Sequence, residues 1–523
     1  MDLARHDTGT VSVAELVGTL SLSADLGLGQ PMEHVARACL IAVRLAELMG
    51  LSADDRGDTY YLGLLAFVGC TADSHESAAL FGDDLETRAG VYDVEIGSPA
   101  MLAYLLRRAA GHGSLLHRAT VPARLLATGG SGVRPLMATH CQVTGQLAAR
   151  LGLGERVCGC LEQTFTRWDG RGTPPMQGEQ IALPTRLVQL ADVVEVHHRH
   201  GGVAAALDVA RRRAGGPFDP AVVAELVRHG PVLLDGLPPE SSWAELMAAD
   251  PTPRALTGEG LDGALEALAD FVDLKSPYFA GHSRGVADLA AAAARRAGHP
   301  EPEVRTLRRA GLVHDLGRSG VPNTIWDKPG PLTALERERV ELHAYYTDRM
   351  LRRVPALADV GAVAALAHER LDGSGYHRGV AGTALPATAR LLAAACCYHA
   401  MTEPRPHRPA RTPDEAAREL RAEGRAGRLD AGAVEAVLGS AGHRPRRAAG
   451  GPAGLTPREI EVLALLARAA STRQIARRLG ITPKTAGNHI ERIYLKIGVN
   501  TRAAAALFAM QHGLLGSLEP VEP

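Results

Sequence analysis

The feature that most constrains the fold of this chain is a repeat of whole domains. The segment RWDGRGTPPMQGEQIALPTRLVQLAD (167–192) parallels RLDGSGYHRGVAGTALPATARLLAAAC (370–396). Asp169 in the first copy has its counterpart in Asp372, 203 positions later. A period of this length is typical of repeated domains and not of a short solenoid repeat, so the chain is predicted to contain two related globular domains.

The periodicity of the apolar residues indicates that both copies are helical. HVARACLIAVRLAELMGL (34–51) and HSRGVADLAAAAARRAGH (282–299) occupy equivalent places in the two copies and carry apolar residues at spacings of three and four. Alternating β-branched runs are scarce, and aromatic residues make up 4% of the chain. The predicted fold class is therefore all-α.

Two stretches rich in turn-forming residues, 236–260 and 442–454, are predicted to be linkers. A chain of 523 residues has room for about three domains. The linkers accordingly divide it into three predicted domains, at 1–240, 262–440 and 455–518.

Composition and the N-terminus together favour a cytoplasmic protein. The N-terminus shows no signal-peptide pattern, and no apolar stretch reaches the length needed to span a membrane. Seven cysteines without a CxxC pair argue against a disulfide framework and favour free thiols in a reducing compartment. The net charge of −1 gives no overall attraction to nucleic acid or to a membrane surface.

The second copy contains residue types that bind divalent metals. His314 and Asp315 are adjacent in GLVHDLGRSGVP, His282 lies upstream, His343 lies downstream, and His368 opens the stretch HERLDGSGYHRG. Imidazole and carboxylate donors together suit Fe, Mn or Zn, and a metal pair in such a site activates water toward phosphoryl groups. Taken singly, each histidine is equally compatible with an ordinary core or surface position.

The order of these motifs resembles that of the HD-GYP family of phosphohydrolases. The resemblance covers about 270–430 and includes the pieces KPGPLT, DGSGY and ARLLAAACCYHAMT. It implies a helical bundle with a centre of two or three metal ions and hydrolysis of cyclic di-GMP. It also implies metal ligands and catalytic residues. The ligands are His282, His314, Asp315, His343 and His368, and the catalytic residues are Asp315 and Arg318.

Four positions depart from the family pattern. Ala367 replaces one of two adjacent histidines, Arg318 replaces a lysine, and His377 replaces the proline of GYP. Cys396 stands where the family has an aspartate ligand; as a thiolate it would favour softer metals such as zinc, with His399 on the same helix face. Two interpretations stay open: a metal site, with or without turnover, and a remnant pocket kept for packing.

The first copy retains fewer of these residues. Gly69 and Cys70 replace the adjacent histidine and aspartate, and Phe165 replaces a further histidine. About 40 additional residues lie between positions 70 and 140. A two-metal centre is not expected without the His-Asp pair, so this domain is predicted to be structural, sensory or dimerising. The corresponding residues that persist are His34, His140 and Asp192.

The last block carries three helix-start signals, in LTPRE, STRQ and TPKT, each with a capping residue followed by Pro, Glu or Gln. Glycines at 480 and 498 are placed to end helices. The pattern predicts a helix-turn-helix built from helices at 471–479 and 483–497. Residues 455–512 carry a net charge of about +6, which suits binding to a phosphate backbone.

The run from LTPREIEVL to LKIGVNTRAAA resembles the LuxR-type C-terminal DNA-binding domain over nearly its whole length. The resemblance implies a four-helix unit that places 483–497 in the major groove of double-stranded DNA, usually as a dimer. Thr485-Ala486-Gly487 departs from the TVK of many members, and Glu491 stands where several have a cation. The predicted DNA-binding residues are Lys484, Thr485, Asn488, His489, Arg492 and Lys496.

Together these motifs predict a cytoplasmic bacterial transcription regulator. Two tandem HD-type bundles, the first degenerate, precede a LuxR-type DNA-binding domain, and the protein is expected to act as a homodimer. The HD-GYP-like region is expected to sense a ligand such as a cyclic dinucleotide, or a metal ion. The alternative is a metal-dependent phosphodiesterase of the cyclic di-GMP type fused to a DNA-binding domain, and the residues leave the choice between sensing and turnover open.

Overall fold

The computed structural model describes residues 10–95, 98–111, 113–127, 134–237, 241–442 and 452–515. Contacts divide the chain into a first unit, Thr8–Leu261, and a second unit that contains Asp262–Pro523. The described residues are mostly helical with almost no strand, which confirms the predicted all-α class. None of their helices is both long enough and apolar enough to cross a bilayer.

The first unit is a helical bundle with one short strand pair. β1 (Val11–Ser12) runs antiparallel to β2 (Ala255–Leu256). Its helices are α1 (Val13–Gly27), α2 (His34–Leu48), α3 (Ala53–Leu65), α4 (Ser74–Phe81), α5 (Asp84–Ala89), α6 (Pro99–Gly111), α7 (Leu115–Ala127), α8 (Arg134–Arg150), α9 (Glu155–Leu161), α10 (Leu183–Arg213), α11 (Pro220–Asp235) and α12 (Trp243–Ala248).

The stretch 236–260, predicted to be a linker, contains the short helix α12 and the two-residue strand β2. Leu246 is fully buried, and its carbonyl accepts a hydrogen bond from the Tyr60 hydroxyl at 2.9 Å. Trp243 packs on Gly18, where an added Cβ would lie 3.0 Å from the indole ring. The predicted linker thus contains a short helix that packs on the first unit through the buried Leu246 and the half-buried Trp243, despite the Pro- and Ser-rich composition around them.

The second unit begins with nine helices. Gly311 lets two of them, α14 and α15, cross closely, since a Cβ at this position would lie 2.6 Å from the Cα of Ala287. Their bounds are α13 (Gly258–Asp273), α14 (His282–Arg296), α15 (Glu301–Val313), α16 (Asn323–Trp326), α17 (Ala334–Leu351), α18 (Ala358–Ala364), α19 (Ala387–Thr402), α20 (Pro413–Arg425) and α21 (Ala431–Ser440).

The C-terminal helices start and end as their capping residues predict. The side chains of Thr456, Ser471 and Thr482 each accept a hydrogen bond from the backbone three residues on, and Gly480 and Gly498 adopt φ of 64° and 69° at the helix ends. The predicted four-helix unit is confirmed, while most of the linker predicted at 442–454 lies outside the described residues. The helices are α22 (Pro457–Ala467), α23 (Thr472–Leu479), α24 (Pro483–Ile497) and α25 (Arg502–Gln511).

We expect Gly487→Ala to stabilise α24. Nothing lies within 4 Å of a Cβ built at this mid-helix position, so the substitution gains about 1 kcal/mol of helix propensity without a clash. Amide hydrogen exchange in α24 of the full-length protein should slow about fivefold. Gly480→Ala is the matched control: its backbone is left-handed, so the same methyl group should speed exchange. Faster exchange in Gly487→Ala would contradict the expectation.

The segment that follows α25 contacts the start of α14. Gly281, the N-cap of α14, has φ of 79°, and a Cβ there would lie 2.8 Å from Cδ1 of Leu515. The Arg468 guanidinium donates to the Leu515 carbonyl at 2.7 Å. The segment after the C-terminal helices therefore lies against the start of α14, at a glycine whose left-handed backbone disfavours a side chain.

Candidate metal centre

The second unit brings the five predicted metal ligands into one buried cluster. Three of them are fully buried, and the side chains of His343 and His368 are 3% and 13% exposed. His282 comes from α14, and His314 with Asp315 from the end of α15. His343 comes from α17, and His368 from the loop after α18.

Gly317 allows Asp315 to approach α17. A side chain at position 317 would place its Cβ 2.0 Å from the carbonyl oxygen of His343, so only glycine fits. The Gly317 amide donates to Thr347 Oγ1 at 2.9 Å and fixes the turn. The glycine two residues after Asp315 therefore has a packing reason for its place in the motif.

Asp315 lies at the centre of the cluster and divides its oxygens between two pairs of imidazoles. Oδ2 lies 2.8 Å from His314 Nε2 and 3.7 Å from His282 Nε2. Oδ1 lies 3.0 Å from His343 Nε2 and 3.2 Å from His368 Nε2. Each oxygen of this carboxylate therefore faces its own pair of imidazole nitrogens, and the five residues together would offer oxygen and nitrogen donors to divalent metal.

The outer nitrogens of three imidazoles have acceptors that orient the rings. Nδ1 of His314 donates to the Gly311 carbonyl at 2.7 Å. Nδ1 of His343 donates to the Val340 carbonyl. Nδ1 of His282 lies 2.7 Å from Glu403 Oε2. Because each outer nitrogen is hydrogen-bonded, it is Nε2 of each ring that faces the cluster, as the ligating nitrogen of a metal-bound histidine does. The residues present thus fit a divalent metal.

Cys396 of α19 completes the cluster at the position of the family aspartate. Its Sγ is buried, 3.7 Å from His314 Nε2 and 4.0 Å from His282 Nε2. One donor atom from each of these three residues lies within 4.8 Å of the others. Burial would raise the pKa of the Cys396 thiol, but His368 and the other two imidazoles hold it well below its usual range. The geometry offers a thiolate where a carboxylate is missing.

Arg318, the second predicted catalytic residue, is buried beside Asp315. Its guanidinium forms an ion pair with Asp315 Oδ2 and lies 4.0 Å from the centre of the Phe279 ring. Burial would raise the pKa of Asp315, yet Arg318 and His314 hold it well below its usual range. Burial would likewise lower the pKa of His314, but the contact with Asp315 raises it to about 10.

Sequence reasoning missed two residues that support the ligands. Glu403 holds His282, and its Oε1 lies 3.2 Å from Nδ1 of His399, four residues earlier on the same face. That i, i+4 spacing was the available signal. Tyr376 stacks on the His368 ring at 4.9 Å between centroids. Its position in the DGSGY motif gave no indication of which ring it would meet.

The loop 367–379 folds around Glu369. This carboxylate accepts hydrogen bonds from the amides of Arg378 and Val380 at 3.1 and 3.2 Å. Gly375 passes so close that a Cβ would lie 2.4 Å from the Cα of Glu369. His377, which replaces the family proline, has φ of 23°, a value that a proline ring excludes. The loop is ordered by its own residues and carries His368 to the cluster.

In the first unit the equivalent histidine is engaged by carboxylates. Nε2 of His34 lies 3.0 Å from Asp192 Oδ1, and its Nδ1 forms an ion pair with Glu195. Burial would lower the pKa of His34, but these two carboxylates raise it to about 10. Gly69 replaces the histidine of the His-Asp pair, and a Cβ there would lie 2.6 Å from the carbonyl oxygen of His140. The backbone of α8 therefore leaves no room for a histidine side chain at position 69.

His140 should make the first unit sensitive to acid. Burial lowers its pKa to about 4, against 6.5 for an exposed imidazole, so the unfolded chain takes up the proton first as the pH falls from 6.5 to 4. Unfolding then costs up to about 3 kcal/mol less at the low end of this window. His140→Gln should remove this part of the pH dependence, as measured by hydrogen exchange in α8 of the full-length protein. If His140→Gln lost as much stability in acid as the wild type, His140 would not be the group responsible for the pH dependence.

The predicted DNA-binding residues fall into two groups on α24. Lys484, Asn488 and Arg492, each four residues apart, are exposed on one face, and Thr485 is exposed beside them. His489 is only partly exposed, and its Nδ1 is buried. The last of the six, Lys496, forms an ion pair with Glu459 at 2.7 Å and donates to the Gly454 carbonyl, so its amine is held within the domain.

Comparison with known families identifies two parts of the chain. The HD domain model matches residues 266–432, and the model for bacterial regulatory proteins of the luxR family matches residues 453–509. These spans contain the metal cluster and the helix-turn-helix respectively.

One curated relative matches a much larger share of the chain than the HD domain model, and a second matches a similar share. The 3'3'-cGAMP-specific phosphodiesterase 3 of Vibrio cholerae is 30% identical over 413 residues, which are 78% of this chain and 90% of the relative. A cyclic di-GMP phosphodiesterase of Pseudomonas aeruginosa is 40% identical over 159 residues, which are 29% of this chain and 38% of that protein.

A solved structure of a cyclic GMP-AMP specific phosphodiesterase from V. cholerae has a TM-score of 0.58 and 26% identity, and the match covers 84% of this chain and all of that one. The 413-residue alignment is longer than either unit, so the relationship extends beyond the HD domain match. The chain therefore belongs to the HD-GYP-type family of HD-domain phosphodiesterase homologues and carries a LuxR-family DNA-binding domain.

Proposed function

We propose that this protein is a transcription regulator whose HD centre binds divalent metal ions and, with them, the phosphodiester of a cyclic dinucleotide. The observation that carries the proposal is the position of Asp315, with one oxygen toward each pair of imidazoles. The relatives' names supply the ligand class, since they act on 3'3'-cGAMP and cyclic di-GMP. The LuxR-family domain supplies the output, double-stranded DNA, which we expect a cytoplasmic homodimer to bind.

Two groups of donors would hold the metal on either side of Asp315. His282, His314 and Cys396 form one group, and the other contains His343 and His368. When bound, a divalent ion attracts phosphoryl oxygens and lowers the pKa of water. A thiolate in the first group favours zinc over harder ions, while the second group also suits Mn or Fe. Arg318 adds a buried positive charge beside the carboxylate.

Metal analysis of the full-length protein combined with ligand titration tests this proposal. Protein dialysed against Zn, Mn or Fe should retain at least one equivalent of metal and bind 3'3'-cGAMP or cyclic di-GMP, and chelation should abolish both. The ligand should also change the affinity for a DNA fragment selected by the protein. His299→Ala, which removes an imidazole paired with Glu303 outside the cluster, should change nothing. Protein that retains no metal would contradict the proposal.

Hydrolysis is the second candidate function, because Cys396 restores a potentially anionic donor at the missing aspartate. Turnover of cyclic dinucleotides is measured for the full-length protein loaded with Zn, Mn or Fe. If the thiolate suffices, the wild type hydrolyses the ligand; if it does not, Cys396→Asp should gain activity. Absence of turnover in both proteins would leave sensing as the function of the site.

A further inference from the structure

The first unit contains a cavity of about 490 Å³ at the place that corresponds to the metal centre. Cys70 and Phe165, which replace an aspartate and a histidine of the second copy, line it together with Asp192. Its volume lies in the range of small-molecule binding sites, about 300–1,000 Å³. Loss of metal ligands has therefore left a sizeable space in this unit.

Residues of the additional segment between 70 and 140 line much of this cavity. Phe81, Met101, Leu102 and Leu105, from α4 and α6, contribute apolar side chains, and Met137 of α8 adds another. The carbon-rich lining would bind the hydrocarbon part of a ligand by the hydrophobic effect. The additional segment between 70 and 140 thus supplies these apolar side chains of the cavity lining.

The charged lining residues favour an anion. Arg88 is neutralised by its ion pairs with Asp73 and Asp84. Arg134 and Arg171 are exposed and form no ion pair in the described part of the chain. The two lining carboxylates are already engaged, one by Arg88 and Asp192 by His34.

Arg213 adds a third positive charge to this lining. Its guanidinium donates to the Tyr92 carbonyl at 3.3 Å and forms no ion pair within the described residues. Three arginines that form no ion pair within the described residues thus line a cavity whose two lining carboxylates each have a cationic partner, which favours a negatively charged group in the ligand.

We propose that this cavity binds a small amphipathic organic acid, with its hydrocarbon body among the apolar side chains and its carboxylate at the arginines. This site is separate from the HD centre and requires no metal. It gives the first unit a ligand of a different chemical class from the phosphodiester proposed for the second. The additional segment between 70 and 140 would then serve to bind the hydrocarbon part of this acid.

Three probes that each carry a ten-carbon chain test the proposal on the full-length protein: decanoate, decanol and decyltrimethylammonium. Decanoate should bind at one site per chain, at least about tenfold tighter than decanol, with the cation weakest. Arg134→Ala with Arg171→Ala should remove most of this preference while leaving decanol binding unchanged. Arg211→Ala, an exposed arginine of α10 outside the cavity lining, is the matched control and should behave as wild type.

A cavity-filling variant, Leu102→Trp, should weaken the binding of decanoate and decanol alike. Chelation of metal should leave decanoate binding intact, which separates this site from the HD centre. Absence of saturable decanoate binding, an equal affinity for decanol, or loss of binding on chelation would each overturn the proposal.

Discussion

Replacing Asp315 by asparagine should lower the metal affinity of the full-length protein by more than about 100-fold. An amide keeps the shape of the side chain but carries no negative charge, so it cannot compensate two cations held between His314 and His343. Metal retained after dialysis, and competition with a chromophoric chelator, measure the effect. Cyclic dinucleotide binding should fall with the metal.

Asp315→Asn also removes the nearer of the two carboxylates beside the buried Arg318, which leaves it only Asp273 at 3.6 Å and is destabilising in itself. His343→Ala is therefore the companion variant, because it removes a ligand and leaves this ion pair in place. Both variants should lose metal, whereas His299→Ala should retain it. Full metal occupancy in either cluster variant, with the fold intact, would show that Asp315 does not lie between two ions.

The double substitution Lys484→Ala with Arg492→Ala should reduce specific DNA binding by at least about 100-fold. Both residues are exposed on the face of α24 that also carries Asn488, two helical turns apart. If both contact phosphates, the dependence of log affinity on log salt should become shallower by about 2. The measurement uses a duplex selected by the wild-type protein from random sequences, over a range of salt concentrations.

Arg418→Ala with Arg425→Ala is the charge-matched control, since it removes two exposed arginines from α20. This control should keep wild-type affinity and salt dependence. Unchanged binding in the α24 variant would mean that another surface contacts the DNA. A smaller loss is expected from Lys496→Ala, because its amine is already paired with Glu459.

Local sequence signals predicted the C-terminal helices almost to the residue. The capping boxes at Thr456 and Ser471 and the left-handed glycine at 480 act within one helical turn, so they are visible without the tertiary fold. The pairing of Lys496 with Glu459 joins α24 to α22 and depends on how these helices pack. Helical periodicity placed Lys496 on an outer face but did not identify this partner.

The candidate metal centre shows the same difference between what local motifs predict and what depends on the tertiary fold. The ligands were predictable as a set, because the order of the motifs carries them, and the structure brings them together. The support from Glu403 and Tyr376 was not predicted, since Glu403 reaches His282 from the end of α19 and the stacking of Tyr376 on His368 depends on how their shared loop folds. The cavity of the first unit was equally hidden, because an empty volume depends on the positions of all the side chains around it.

The contact between Gly281 and Leu515 has a mechanical consequence. Gly281, directly before His282, and Leu515, four residues beyond α25, lie so close that a Cβ at position 281 would be 2.8 Å from Leu515 Cδ1. Neither can advance toward the other without displacing it. A shift of the first turn of α14 would therefore press on the segment that follows α25.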